Sequence, residues 1–248
     1  MRFNILTLFP GMFDCVFGQS MMKSAIDNGI IQLSLIDIRD FTTDKHHTAD
    51  DYPFGGGPGM ILKPEPVFLA AESVLKDREK GSIPIILLSP QGRRFNQTIA
   101  GDLAARSEII LICGHYRGID ERIRLHVAND EISLGDFVVT GGELAAMVIV
   151  DAVTRLLPGV LGDFASAEGD TFYNGLLEHG NYTKPREFRG QGVPDVLLSG
   201  NHNAIRLWRR RDSLMRTLLR RPDLLETASI SEEDRKILEE IRSDLNLN

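Results

Sequence analysis

Three apolar stretches, 83–88 (IPIILL), 108–112 (EIILI) and one near 130–134, each run directly into a glycine-bearing loop. The loops are LSPQG (88–92), CGHYRGID (113–120) and SLGDFVVTGGE (133–143). Helical patterns separate them, and strands alternating with helices predict an α/β layer fold with a mostly parallel sheet. In such a sheet ligands sit outside the carboxyl ends of the strands, so the three loops are predicted to line one crevice. Glycine admits positive φ and a close approach of backbone to ligand. Any one of these loops is accounted for by a tight turn; three in register favour a ligand site.

Missing motifs narrow the ligand. The chain has neither a GxxxxGK[ST] phosphate loop nor a strand–GxGxxG–helix fingerprint. GGGPGM (55–60) resembles a phosphate loop in composition only, and Pro58 removes a donor amide. A ligand held by backbone groups and apolar walls, without a polyphosphate, is favoured, and S-adenosylmethionine meets that description. No metal site is expected: His46 and His47 are adjacent and diverge, and His115, His126, His179 and His202 lack ligand spacing. Cys113 ends an apolar strand, where an inert buried thiol is the usual outcome. The nucleophile motifs GxSxG and SxxK are absent.

Strands are also predicted over 3–9 and 30–38, and helices over 12–27, 65–80, 97–106 (capped by Asn96), from Asp120, and over 142–156. A long helix is predicted over 203–221 and a last one over 232–245, capped by Ser231 with Asp234 in the capping-box position. The expected division is an α/β domain over 1–162, a flexible linker over 163–175 and a helical domain over 176–248. The longest apolar run, LAAMVIV (144–150), is too short to span a bilayer. The amino-terminal segment lacks signal-peptide features, so a cytoplasmic protein without membrane contact is expected.

A formal net charge of −7 excludes a uniformly basic nucleic-acid coat. Segment 203–221 is the exception. On a helical wheel Ile205, Leu207, Trp208, Leu214, Met215, Leu218 and Leu219 share one half. Arg206, Arg209, Arg210, Arg216, Arg220 and Arg221 share the other, with Arg211 on the boundary and Asp212 as the only local acid. Such a face is expected to repel itself without an anionic partner. Arginine clamps phosphate bidentately, which favours a nucleic-acid backbone. A membrane surface or a plain solvated face are the competing readings.

Several longer motifs resemble a known family: LFPGMF (8–13), DDYPFGGGPGM (50–60), LSPQGR (88–93), CGHYRGIDER (113–122), SLGDFVVTGGELAAM (133–147), RLLPGVLG (155–162), NYTKP (181–185) and VLLSGNHNAIRLWR (196–209). Essentially end to end, the chain resembles bacterial tRNA (guanine-N1)-methyltransferases of the SPOUT class. The resemblance implies methyl transfer to N1 of guanosine 37 beside the anticodon. It also implies a sheet whose carboxyl-terminal part is a trefoil knot, which general chain topology does not predict.

The implied S-adenosylmethionine site comprises Leu88, Ser89, Pro90, Gln91 and Gly92 in the first loop and Gly114 and Tyr116 in the second. From the third come Ser133, Leu134, Gly135, Asp136, Phe137, Val138, Val139, Gly141 and Gly142. The resemblance further implies a homodimer, Asp170 as general base, Arg155 as the cation stabilising O6 of the base, and a basic domain holding the tRNA anticodon arm. Taken by themselves, Asp170 is a surface-loop acid and Arg155 a charge at a helix carboxyl end. Magnesium is implicated in the family, but Arg117 stands where relatives often carry glutamate, which puts the metal in doubt; Ala145 stands where proline is frequent. A knotted enzyme acting on another position, such as a ribose 2′-hydroxyl, and a non-catalytic RNA-binding module are the alternatives.

Overall fold

The computed structural model describes residues 1–76, 78, 81–161 and 170–246. Two compact units are present, Met1–Gly162 and Asp163–Asn248. Of the segment expected as a linker, 163–169 lie outside the described residues. Residues 170–175 make turns, with Tyr173 N–H donating to Asp170 O and Phe172 N–H to Leu176 O.

The first unit is built on β1 (Arg2–Thr7), β2 (Gln32–Asp37), β5 (Ile85–Arg94), β6 (Glu108–Cys113) and β7 (Asp130–Ser133), ordered β2-β1-β6-β5-β7 and parallel throughout. Two-residue strands β3 (Asp50–Asp51) and β4 (Ile61–Leu62) pair separately. Helices α2 (Ser20–Asp27), α4 (Gln97–Ala104) and α6 (Gly142–Thr154) supply one core, and α3 (Pro64–Leu75) and α5 (Glu121–His126) the core on the other face. A sheet covered on both faces explains why β6 reads as a continuous apolar run rather than an alternation; Ile109 through Cys113 are fully buried.

The helix expected over 12–27 is divided. A 3-10 turn at Pro10–Met12 leads to α1 (Asp14–Phe17), and α2 begins only at Ser20. Gly18 approaches Asp14 O so closely that a Cβ would lie 2.7 Å away, and Gln19 is extended. Beyond α2, Asn28 forms the cap and Gly29 takes φ +70°, as the Asn-Gly pair predicts. Helix α3 stops at Leu75, short of residue 80, where Lys76 turns to φ 50°.

The second unit contains a hairpin of β8 (Glu187–Phe188) and β9 (Gln191–Gly192), the short α7 (Asp195–Leu198), and the long α8 (His202–Arg220) and α9 (Glu232–Asp244). Its small core joins Leu176, Leu214 and Ile241, with Met215, Leu218 and Ile237 packed against them. The predicted capping box is present: Asp234 N–H donates to Ser231 Oγ at 3.1 Å, and Ser231 N–H to Asp234 Oδ2 at 2.9 Å. No described helix is long and apolar enough to cross a membrane.

Candidate cofactor cleft and basic helix

The glycine loops come together because β6, β5 and β7 are neighbours. The chain leaves β5, enters β6 on one side, then crosses to β7 on the other, making the topological switch at which open sheets bind ligands. A cleft of about 350 Å³ opens there, within the range of small-molecule sites.

Ser89, Pro90 and Gln91 line it from the first loop together with Leu88, and Gly114 and Tyr116 from the second. Ser133, Leu134, Phe137, Val138, Val139, Gly141 and Gly142 line it from the third. Two contacts bind the second loop to the third. Gly142 N–H donates to Gly114 O at 2.7 Å, and His115 forms an antiparallel bridge with Gly141. At Gly142 the backbones approach so closely that a Cβ would lie 2.7 Å from Cys113 Cα.

Three expected lining residues fall outside the cleft. Gly92 belongs to β5, which does not end at Leu88 but continues to Arg94. Pairing with β7 is interrupted between Leu88 and Arg93, so residues 89–91 bulge into the cleft while Gly92 lies against β7. A Cβ on Gly92 would stand 2.5 Å from Glu131 C and Ile132 N, so glycine is required there for strand packing. Gly135 bends the chain at φ +152° beneath the Phe137 ring, and Asp136 points outward to Arg94 at 2.6 Å. Conversely, His115, Arg117, Ile119 and Thr140 line the cleft without having been singled out as ligand residues; their membership in the flagged loops was the available signal. Burial first, and the Glu143 charge second, push the Cys113 thiol well up, in keeping with an inert residue.

The catalytic candidates lie in different units. Arg155 is the C-cap of α6, its N–H donating to Asp151 O at 3.1 Å. Asp170 lines a cleft of the second unit with His179, His202, Arg206 and Arg209. Among the described residues no three His, Cys, Asp or Glu side chains gather as a metal cage. At the loop where the resemblance leads one to expect an acid, the Arg117 guanidinium donates to Pro58 O at 3.0 Å, which does not suit a cation.

The expectation that α8 repels itself without an outside anion is overturned. Acids from other segments pair with three of its six arginines, Arg206 with Glu233, Arg210 with Asp234 and Arg211 with Asp244, and Asp223 pairs with Arg221 at its C-cap. Arg216 pairs with Asp212 at 2.6 Å, and the same carboxylate accepts from Gly180 N–H. Only Arg209 and Arg220 lack an ion pair among the described residues, and both are exposed. Arg209 borders two clefts of this unit, one containing Tyr182, Lys184 and Arg186. Trp208 is half-buried beside His179 and Tyr182, with ring centroids 6.4 and 6.2 Å away.

Residues 1–227 match the model of the family described as tRNA (Guanine-1)-methyltransferase TrmD. A tRNA (guanine-N(1)-)-methyltransferase of Dehalococcoides mccartyi is 57% identical over 246 residues, covering 99% of each chain. One from Bacillus cereus is 53% identical over 98% of this chain and 100% of its own. Among solved structures, the tRNA (m1G37) methyltransferase of Aquifex aeolicus superimposes with a TM-score of 0.72 at 38% identity, covering 91% of this chain and 95% of the other. A parallel sheet with a glycine cleft at its switch point, joined in one chain to an arginine-bearing helical unit, therefore belongs to the tRNA (guanine-1)-methyltransferase family.

Proposed function

We propose that this protein transfers a methyl group from S-adenosylmethionine to N1 of guanosine 37 in tRNA. The observation that carries this most directly is the cleft, where the bulge of β5 and the loops after β6 and β7 offer apolar walls, the two loops add glycine backbone, and no polyphosphate loop is present. The donor supplies a methyl group already activated on a sulfonium. The chain must hold that group, orient the base and manage one proton. Leu88 to Gln91, Gly114, Tyr116 and the lining residues of 133–142 are assigned to the donor. Asp170 is assigned the general base that takes the N1 proton, and Arg155 the cation that stabilises charge developing on O6. Magnesium has no step here, because Arg117 occupies the relevant loop. The knotted threading of the sheet is taken from family membership, and a cytoplasmic location fits a tRNA substrate.

The reading includes a homodimer, which the length of one helix supports. Gly142, at the start of α6, lies in the cleft, and Arg155 caps its far end. Thirteen residues at about 1.5 Å each separate them by about 20 Å, beyond the reach of an arginine side chain. In this reading Arg155 is assigned to the cleft of a second copy. Leu144 and Val148, one turn apart on α6, are 44% and 49% exposed, a face suited to that contact.

Arg209 and Arg220 are assigned to the anticodon arm, because their charges are not already matched. Changing both to Gln should reduce the slope of log affinity against log salt by about 1.5 for tRNA. Arg206→Gln should change it little, and equal slopes for all variants would leave the helix a solvated face.

The test of the function is methylation of tRNA transcripts in which guanosine 37 is replaced. Incorporation should vanish. Persistent incorporation would favour another position, such as a ribose 2′-hydroxyl, and absent S-adenosylmethionine binding would favour a non-catalytic RNA-binding module.

A further inference from the structure

A polar chain behind the cofactor cleft has no part in the methyl transfer described above. Glu143, in the first turn of α6, is 1% exposed. Its Oε1 accepts from Thr7 Oγ1 at 2.8 Å, and that hydroxyl accepts from Phe9 N–H at 2.9 Å. The other oxygen, Oε2, stands 3.6 Å from Nδ1 of His115. Neither atom has a hydrogen-bond partner among the described residues. His115 also lines the cleft, its ring packed against Phe9 at 4.7 Å and Tyr116 at 4.9 Å. Gly141 runs so close that a Cβ there would collide with both orphaned atoms.

Buried polar groups are rarely left unpaired, because a desolvated carboxylate oxygen without a donor is unfavourable. The amino end of α6 favours the negative charge but supplies no bond to Oε2. At 3.6 Å the two orphans are too far apart for a hydrogen bond and near enough for a small ring movement to make one. The imidazole is the side that can move, since Thr7 anchors the carboxylate and His115 is 20% exposed toward the cleft.

We propose that Glu143 is a positioning residue for S-adenosylmethionine: a donor seated against His115 presses the imidazole onto Glu143, closes the orphaned hydrogen bond, and locks the loops after β6 and β7 around the ligand. This rests on the cofactor assignment of the cleft. Ligand binding and loop closure thereby become one event, with Thr7 tying it to the end of β1.

The test is calorimetric titration of the intact protein with S-adenosylmethionine. His115→Phe keeps a ring against Phe9 and Tyr116 but removes the nitrogen. It should weaken the Kd about tenfold, about 1.4 kcal/mol, with the loss in KM rather than kcat. His115→Asn, whose amide nitrogen lies as many bonds from Cβ as Nδ1, should recover most of the affinity. A His115→Phe affinity equal to native, or no recovery with Asn, overturns the proposal while native binding upholds the cleft. No binding by the native protein overturns both. Independently of any variant, NMR of histidine-labelled native protein should show an imidazole N–H moving downfield when S-adenosylmethionine is added, and an unmoved spectrum counts against closure.

Discussion

Replacing Asp170 by Asn should lower single-turnover methyl transfer by about 10²–10⁴-fold, the usual contribution of a positioned general base. The substitution keeps the shape of the side chain and removes its capacity to take a proton. Guanine N1 carries a hydrogen, so the new bond to carbon forms only as that proton leaves. Without an acceptor the proton must go to water, and the barrier rises accordingly. The affinity for S-adenosylmethionine should be nearly unchanged, because the glycine cleft is built by 88–142 in the first unit and Asp170 belongs to the second. Single-turnover rates with saturating tRNA and donor, beside calorimetry with the donor alone, separate the two quantities. Unaltered turnover would place the base elsewhere.

Asp234→Ala should destabilise the second unit by about 2–4 kcal/mol. Its carboxylate is 4% exposed and receives Arg210 at 2.6 and 2.7 Å, together with Ser231 N–H and Oγ. Loss of a helix cap costs about 1 kcal/mol, and breaking a buried ion pair about 3–5. The pair term is reduced here because the Arg210 side chain remains 31% exposed. Among the described residues of this unit, Leu176, Leu214 and Ile241 are the buried apolar side chains of the core, so the loss is large relative to what remains. Trp208, the single tryptophan, lies on α8, and its fluorescence reports unfolding of this unit.

The same carboxylate gives the unit an acid limit. The Arg210 hydrogen bonds, aided by those from Ser231 and opposed by burial, hold Asp234 far below its ordinary value of 3.8. A depressed folded value contributes stability that is fully present above the ordinary value and lost as pH falls through the folded one. The tryptophan transition should therefore move to lower denaturant as pH drops below about 4, and Asp234→Asn should remove this group's share of the dependence. A variant with native stability and native acid response would show that the pair contributes nothing.

The local features were legible because they depend on a few neighbouring residues. Asn96, Asp120 and Ser231 each accept from a backbone N–H two or three residues ahead, and an apolar run flanked by turns forms β6 wherever it lies. The division of the first long helix was less legible, since periodicity continued across Gly18 while the close approach to Asp14 O did not permit a side chain. Resemblance supplied the proposed base and cation; nothing in the pattern around Asp170 or Arg155 distinguishes them from surface charges.

The sequence by itself determined an alternating α/β chain, three glycine-bearing segments at the carboxyl ends of apolar runs, and an amphipathic arginine helix, because periodicity and turn chemistry act over a few residues. Tertiary structure alone decided that β6, β5 and β7 are adjacent and so bring the turns into one cleft. It also decided that Gly92 serves strand packing, and that Glu143 meets Thr7 and His115 behind the cleft. The arginines follow the same rule: Arg210 and Asp234 are 24 residues apart, and only the packing of α8 on α9 makes one the counter-ion of the other. Which charges remain unmatched on this helix is therefore set by which pairs the fold has already closed.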